Sequence, residues 1–224
     1  METTMRTQPA RQEESGAALL TAMVLMLAVL MTGLAGARTA LYGARAAAHE
    51  RDRLLALQMA EAALADAERD IEGGANPATA RAAALASGLA AAFADACSGG
   101  APYDGLCAAE DDAEAHAQRL ADDDGPAVRY GSFTDRRLPE GEERLSVEMP
   151  RYLIERMPAA GADHLYRISA LGFGSMPSTR AALQTYYRKP AAAGTHGRRA
   201  GWREIGNWAA LADAGGRNAQ GGGP

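Results

Sequence analysis

Apolar residues fall along this chain in three successive patterns, and each predicts a different element. Residues 17–37 carry no charge and are apolar almost throughout, from Ala17-Ala18-Leu19-Leu20 to Leu34-Ala35-Gly36-Ala37. As a helix this run is roughly 30 Å long, about the thickness of a bilayer's hydrocarbon core. Residues 38–72 hold no proline and a single glycine, Gly43. Among them Leu57, Ala60, Leu64, Ala67 and Ile71 recur at steps of three and four and so share one face of a continuing helix. Glu61, Asp66, Glu68, Arg69 and Asp70 fall largely off that stripe, and Gly73-Gly74 stops the helix. Residues 17–72 together make a rod of about 84 Å.

Beyond the glycines the period changes. Asn76-Pro77 predicts a helix start, followed by an alanine-rich helix over 77–96 with Leu85, Leu89 and Phe93 as apolar members. Residues 98–106 are turn chemistry. Four segments then alternate or read as β: 127–133, 151–157, 165–171 and 179–188, with 172–178 as a loop. Short Gly/Pro connections between them predict an antiparallel sheet whose inner face covers the stripe of the long helix. The fold class is α+β. Residues 191–224 turn to Ala, Gly and Arg and predict a partly disordered tail. Inside it Trp202-Arg203-Glu204-Ile205-Gly206-Asn207-Trp208 is an apolar island, either a segment docked on the protein's own head or a partner contact.

The net charge of -5, with no stripe of Lys and Arg, argues against nucleic acid as a partner. The two cysteines, Cys97 and Cys107, lie close in sequence. In an exported chain such a pair reads as a disulfide made in an oxidising compartment, against two unrelated buried thiols. The apolar run has three readings. A cleaved secretory signal is disfavoured by its length and by a non-positive flank, in which Glu2, Glu13 and Glu14 outweigh Arg6 and Arg11. A plain signal anchor explains the length but gives Gly16 no role. A short polar leader cut after Gly16, with the helix retained, accounts for both. Arg38, Arg45, Arg51 and Arg53 follow the run, which on the positive-inside tendency holds the C-terminal side in the cytoplasm. The cysteine pair points the other way. Gly33, Gly36 and Ala37 permit close helix approach, or merely fill the run.

Catalytic constellations are hard to find. His49, His116, His164 and His196 have no ligand spacing with one another or with cysteine. Glu110-Asp111-Asp112 and Asp122-Asp123-Asp124-Gly125 lack EF-hand spacing and read as a solvated acidic loop rather than a calcium site. No cofactor and no catalytic residue is expected.

Five stretches resemble the PilX-type minor pilins of type IV pilus systems: Gly16-Ala17-Ala18-Leu19, residues 56–64, Pro150-Arg151-Tyr152-Leu153-Ile154-Glu155, residues 166–170 and residues 182–187. Trp202-Arg203-Glu204 resembles the family's C-terminal end. The resemblance implies a type IV pilin-like fold and a division into leader (1–16), transmembrane and pilus-core helix (17–37), amphipathic extension (38–72), head (73–190) and tail (191–224). It implies cleavage after Gly16 by prepilin peptidase and methylation of the new N-terminus at Ala17. It places the chain in the inner membrane with a periplasmic head, then in the pilus. The partners it implies are other minor pilins, the major pilin and a large tip-associated protein, in a complex that starts assembly; adhesion and twitching motility are the associated processes. Major pilins carry a Glu at the fifth mature position, which neutralises a neighbouring N-terminal ammonium. Here that position is Thr21. An unpaired ammonium in an apolar bundle is costly, so a tip position is expected. The rival readings are a minor pseudopilin of a type II secretion system and, from another class, a membrane-anchored periplasmic enzyme or binding domain.

Overall fold

The computed structural model describes residues 15–139, 145–159, 161–192 and 194–221. Most of the expected leader, residues 1–14, and the last tail residues, 222–224, lie outside them. The chain divides into two compact units, Met1–His49 and Glu50–Pro224.

Helix α1 (Ser15–Ile71) has no breaker along its length, and Ala and Leu, strong helix formers, dominate it. It ends at the expected glycines, where the Gly74 N–H donates to the Arg69 carbonyl at 2.9 Å. The long helix packed on a mostly antiparallel sheet is the expected α+β architecture.

The alanine-rich stretch behaves differently from the reading of a single helix over 77–96. Helix α2 (Ala80–Ser87) is short and is capped by Thr79, whose side chain accepts the Ala82 N–H. Asn76 instead closes a turn, accepting the Ala78 N–H at 3.0 Å. The helix stops at Gly88, and two 3-10 turns follow, Ala90–Ala92 and Asp95–Cys97. The turns bring Phe93 against Tyr166, ring centroids 5.8 Å apart. Tertiary packing overrides alanine's helix propensity here. Leu85 and Phe93 are buried as expected, but Leu89 is 53% exposed. Cys97 and Cys107 are bonded, closing the loop between them.

Strand β1 (Leu106–Ala108) and helix α3 (Ala113–Ala121) follow; the sequence reading contained neither. Asp112 caps α3, accepting the N–H groups of Glu114 and Ala115 at 3.0 Å. Strand β2 covers only Val128–Arg129 of the expected 127–133, because residues 130–134 turn to meet α1. Strands β3 (Arg151–Met157), β4 (His164–Phe173) and β5 (Arg180–Lys189) lie where the alternation places them. Beyond them, within the tail expected to be partly disordered, the chain forms strand β6 (Arg198–Glu204) and helix α4 (Trp208–Gly221).

Among the described residues the sheet runs β1-β3-β4-β5-β6, with β2 paired beside β1 on the same strand, β3. Only the β1–β3 pair is parallel. Register sets the two faces. Tyr152, Ile154, Tyr166, Ile168, Ala170, Leu183 and Tyr187 pack with Ala60, Leu64, Ala67 and Ile71 of α1. Leu153, Leu171, Phe173 and Ala182 pack on the opposite face with Ala117, Leu120 and Trp208 from α3 and α4, and with the cystine. The sheet is therefore a middle layer, covered on its second face by two helices that the sequence reading did not contain.

Candidate functional site

Two parts of α1 carry the functional argument. In the first unit, the side chains of residues 17–49 are exposed, including Leu19, Leu20, Met23, Leu27, Leu30 and Leu34. The stretch is long and apolar enough to cross a bilayer. Its few hydroxyls are spent inside the helix. Thr32 donates to the Ala28 carbonyl at 2.6 Å and Thr39 to that of Ala35 at 3.0 Å. Such back-bonding keeps these threonine hydroxyls from facing hydrocarbon unpaired. Thr21 does the same, with its Oγ1 within 3.1 Å of the Ala17 carbonyl and 3.0 Å of that of Ala18. Gly16, Ala17 and Thr21 thus lie in the first turns of α1, with Ala17 and Thr21 exposed. Cys97 and Cys107 belong to the other unit.

In the second unit, residues 52–71 of α1 and the adjoining Glu72 are clasped by the head through carboxylates. Asp52 accepts the Ser175 hydroxyl at 2.7 Å and its N–H. Asp66, fully buried, accepts the Gly131 N–H at 2.8 Å and the Thr134 hydroxyl. Asp70 receives Arg81 through Nε at 2.9 Å and Nη2 at 2.7 Å, and the Tyr152 hydroxyl at 2.9 Å. Arg81 is itself 2% exposed; its Nη1 donates to the carbonyls of Pro102 and Asp104, and its guanidinium lies 3.8 Å from the Phe133 ring centroid. At the end of α1, Glu72 takes the Tyr187 hydroxyl and the Gly197 N–H, both at 2.9 Å, and Lys189 at 2.5 Å. Glu68 takes Arg199 at 2.6 Å, and Arg53 reaches Glu204 at 2.8 Å.

This corrects the reading of Asp66 and Asp70 as flank residues away from the stripe. They lie four apart, one position before Ala67 and Ile71, and the sheet covers them too. The readable signal was the set of small residues Ala56, Ala60, Ala63 and Ala67, all fully buried. Small side chains let the sheet come close, and a close sheet also covers the neighbouring carboxylates. Three further acidic residues have structural duties as well. Glu110 pairs with Arg119, and Asp123 and Glu148 pair with Arg151.

These carboxylates give the head a signed dependence on pH. The hydroxyls of Thr179 and Ser175 hold Asp52 below the usual range, and Arg151 does so for Asp123. Burial pushes Glu72 up, but bonds from Lys189, Gly197 and Tyr187 outweigh it and leave Glu72 lowered. Stability from lowered groups is present above their unfolded values of about 4 and is lost as pH falls through the folded ones. Burial also lowers His116, which disfavours the fold as pH falls through about 6.5. Burial raises Asp66, which acts in the opposite sense. The expected melting midpoint of the detergent-solubilised chain declines from about pH 6.5 downward and most steeply below about pH 4. Glu72→Gln should lower the neutral plateau and flatten the acid limb; an unchanged acid limb would remove Glu72 from this account.

An exposed apolar helical segment, followed by a stretch of the same helix clasped by a mostly antiparallel sheet, defines a type IV pilin-like fold. Residues 103–189 match the family model described as "Type IV pilus assembly protein PilX C-term". That match covers 87 of the 224 residues and supports a PilX-type pilin, a protein of type IV pilus assembly. No curated protein and no solved structure matches it. The matched stretch holds β1 to β5 and α3, including the strand residues that contact α1. That family is one of pilus assembly, which implies interaction within that machinery.

Proposed function

We propose that this pilin is a minor subunit that starts pilus assembly from a priming complex and ends at the pilus tip. Prepilin peptidase cuts after Gly16, Ala17 is methylated, and residues 17–37 stay attached, first in the inner membrane and then among sister helices. The head lies in the periplasm. The partners are other minor pilins, the major pilin beneath and a large tip-associated protein above.

The observation that carries this reading is Thr21, whose hydroxyl is engaged by the carbonyls of Ala17 and Ala18 in its own helix. It supplies no carboxylate to neutralise the ammonium of a subunit stacked above, and an unpaired charge in an apolar bundle is costly. A subunit at the tip has no such neighbour to satisfy. The test uses sheared, purified pili. Mass spectrometry should find the N-terminal peptide beginning at methylated Ala17, and gold-labelled antibody to the head should mark one end of each pilus. A mature chain that begins near Arg38 would overturn retention of the helix, and even labelling along the pilus would overturn the tip position.

A further inference from the structure

Strand β6 ends the sheet: among the described residues it pairs with β5, and nothing pairs beyond it. All seven of its residues are exposed. The Ile205 N–H donates to the Ala182 carbonyl at 2.9 Å, which sets the phase of the ladder. In an antiparallel ladder successive residues turn their backbone groups to opposite sides. Arg203 therefore faces β5 with Ile205, and the N–H and C=O groups of Trp202 and Glu204 point outward. Such an edge is a template for another strand.

The two faces of this edge differ. Trp202 lies opposite Thr185 and Glu204 opposite Leu183, on the face that covers α1, where Glu204 meets Arg53 of the helix. Arg198 lies opposite Arg188, three residues along β5 from Thr185 and so on the second face. Trp202 and Arg198 are four apart, a spacing that shares one face in a regular strand. A bulge separates them: between the pairs 185/202 and 187/199, β6 has Ala200 and Gly201 where β5 has Tyr186 alone. Each face lacks a partner. Trp202 is 55% exposed, and its ring touches no ring or hydrogen-bonding group among the described residues. Arg188 and Arg198, both exposed, are like charges directly opposed, an unfavourable pair. Neither has a hydrogen bond or ion pair among the described residues, whereas Arg199, on the other face, is paired with Glu68. Charge on an edge strand can serve to repel other strands. Arg188 stands on β5, one strand in from the edge, where it adds repulsion within the sheet without guarding the edge.

We propose that β6 accepts an extended acidic segment of a partner protein as a further strand, with an apolar side chain over Trp202 and a carboxylate beside Arg198. Such a strand lies two strand spacings, about 10 Å, from β5, a gap that the long Arg188 side chain and a glutamate close between them. On an unbulged strand, as on β5, the apolar residue and the carboxylate are three apart. Main-chain pairing supplies the affinity, and the carboxylate, by neutralising the opposed arginines, supplies the selectivity. The inference goes beyond the tip reading and does not depend on it.

The probe is the peptide fluorescein-Thr-Val-Thr-Ile-Thr-Val-Glu-Val-Thr-amide, which sets Ile and Glu three apart on opposite faces. It is titrated with the detergent-solubilised full chain at constant ionic strength and read by fluorescence polarisation. One counterpart carries Lys in place of Glu, and another carries methylated backbone nitrogens, which cannot donate to an edge. The Glu peptide should bind saturably, the Lys peptide at least tenfold more weakly and the methylated peptide not at all. Arg198→Gln and Arg188→Gln should each weaken the Glu peptide at least fivefold, and each should leave the melt unchanged or raise it, because one of two opposed charges is gone. Equal binding of the Glu and Lys peptides, or binding that survives methylation, would overturn the proposal. So would a lowered melt in either variant, which would show that the arginine already has a partner in its own chain. Absence of saturable binding, with the Arg198→Gln chain self-associating, would make the arginines guards of the edge and would equally overturn it.

Discussion

Asp70→Ala should cost the head about 3–5 kcal/mol, the usual loss when one partner of a buried ion pair is removed. For a unit of this size that lowers the melting midpoint by roughly 10 °C. The cost arises mainly from what remains. Arg81 is 2% exposed and keeps the carbonyls of Pro102 and Asp104 and the Phe133 ring but no counter-charge among its described partners, while the Tyr152 hydroxyl loses its acceptor. Because Asp70 joins α1 to α2 through Arg81 and to β3 through Tyr152, the loss falls on three elements at once. Arg81→Met in the same background should recover part of the stability, since an apolar side chain of similar length removes the stranded charge. Thermal melts of both single variants and the double variant form the cycle. Additive losses would show that Asp70 and Arg81 do not act as a pair.

The clasp illustrates which parts of this molecule its sequence displays. The long helix was readable because nothing in residues 17–72 breaks it, and β3, β4 and β5 because apolar residues alternate there. Carboxylates beside an apolar stripe look solvated until the opposing surface is known, so Asp66 and Asp70 were misplaced. The alanine-rich stretch after Asn76 looked like one helix because propensity is local, whereas its end at Gly88 and the turn to Phe93 serve a contact with Tyr166. Helix α4 was hidden for a related reason. Its Gly215-Gly216 reads as disorder, yet a Cβ at Gly215 would lie 2.5 Å from the Glu114 carbonyl oxygen, so the glycine is what lets α4 lie against α3. The apolar island is docked on the head at one end. Trp208 is buried in the head, and Trp202 is 55% exposed on β6. In the first unit the sequence displays nearly all that the structure shows, because the described residues there form one helix with exposed side chains.

Gly172→Ala should be the second most damaging substitution, although it adds only one methyl group. A Cβ at this position of β4 would lie 2.1 Å from the Ala56 carbonyl oxygen and 2.2 Å from the Ala60 N. Both are backbone atoms of a helix held on either side by Asp52 and Asp66, so neither can rotate aside as a side chain would. Sheet and helix would have to separate by roughly 1 Å, loosening a close-packed contact along its length. The expected loss is about 3 kcal/mol, at the upper end for overpacking. Gly174→Ala, two residues along, first meets the Asp52 carboxylate, at 2.6 Å, a side-chain end that can shift; its loss should be smaller. Gly206→Ala meets nothing within 4 Å and should leave the melt unchanged. That order, 172 above 174 above 206, separates backbone contact from a general intolerance of substituted glycine. If Gly172→Ala melts like the parent chain, the sheet does not rest on the helix backbone, and the small residues of α1 need another explanation.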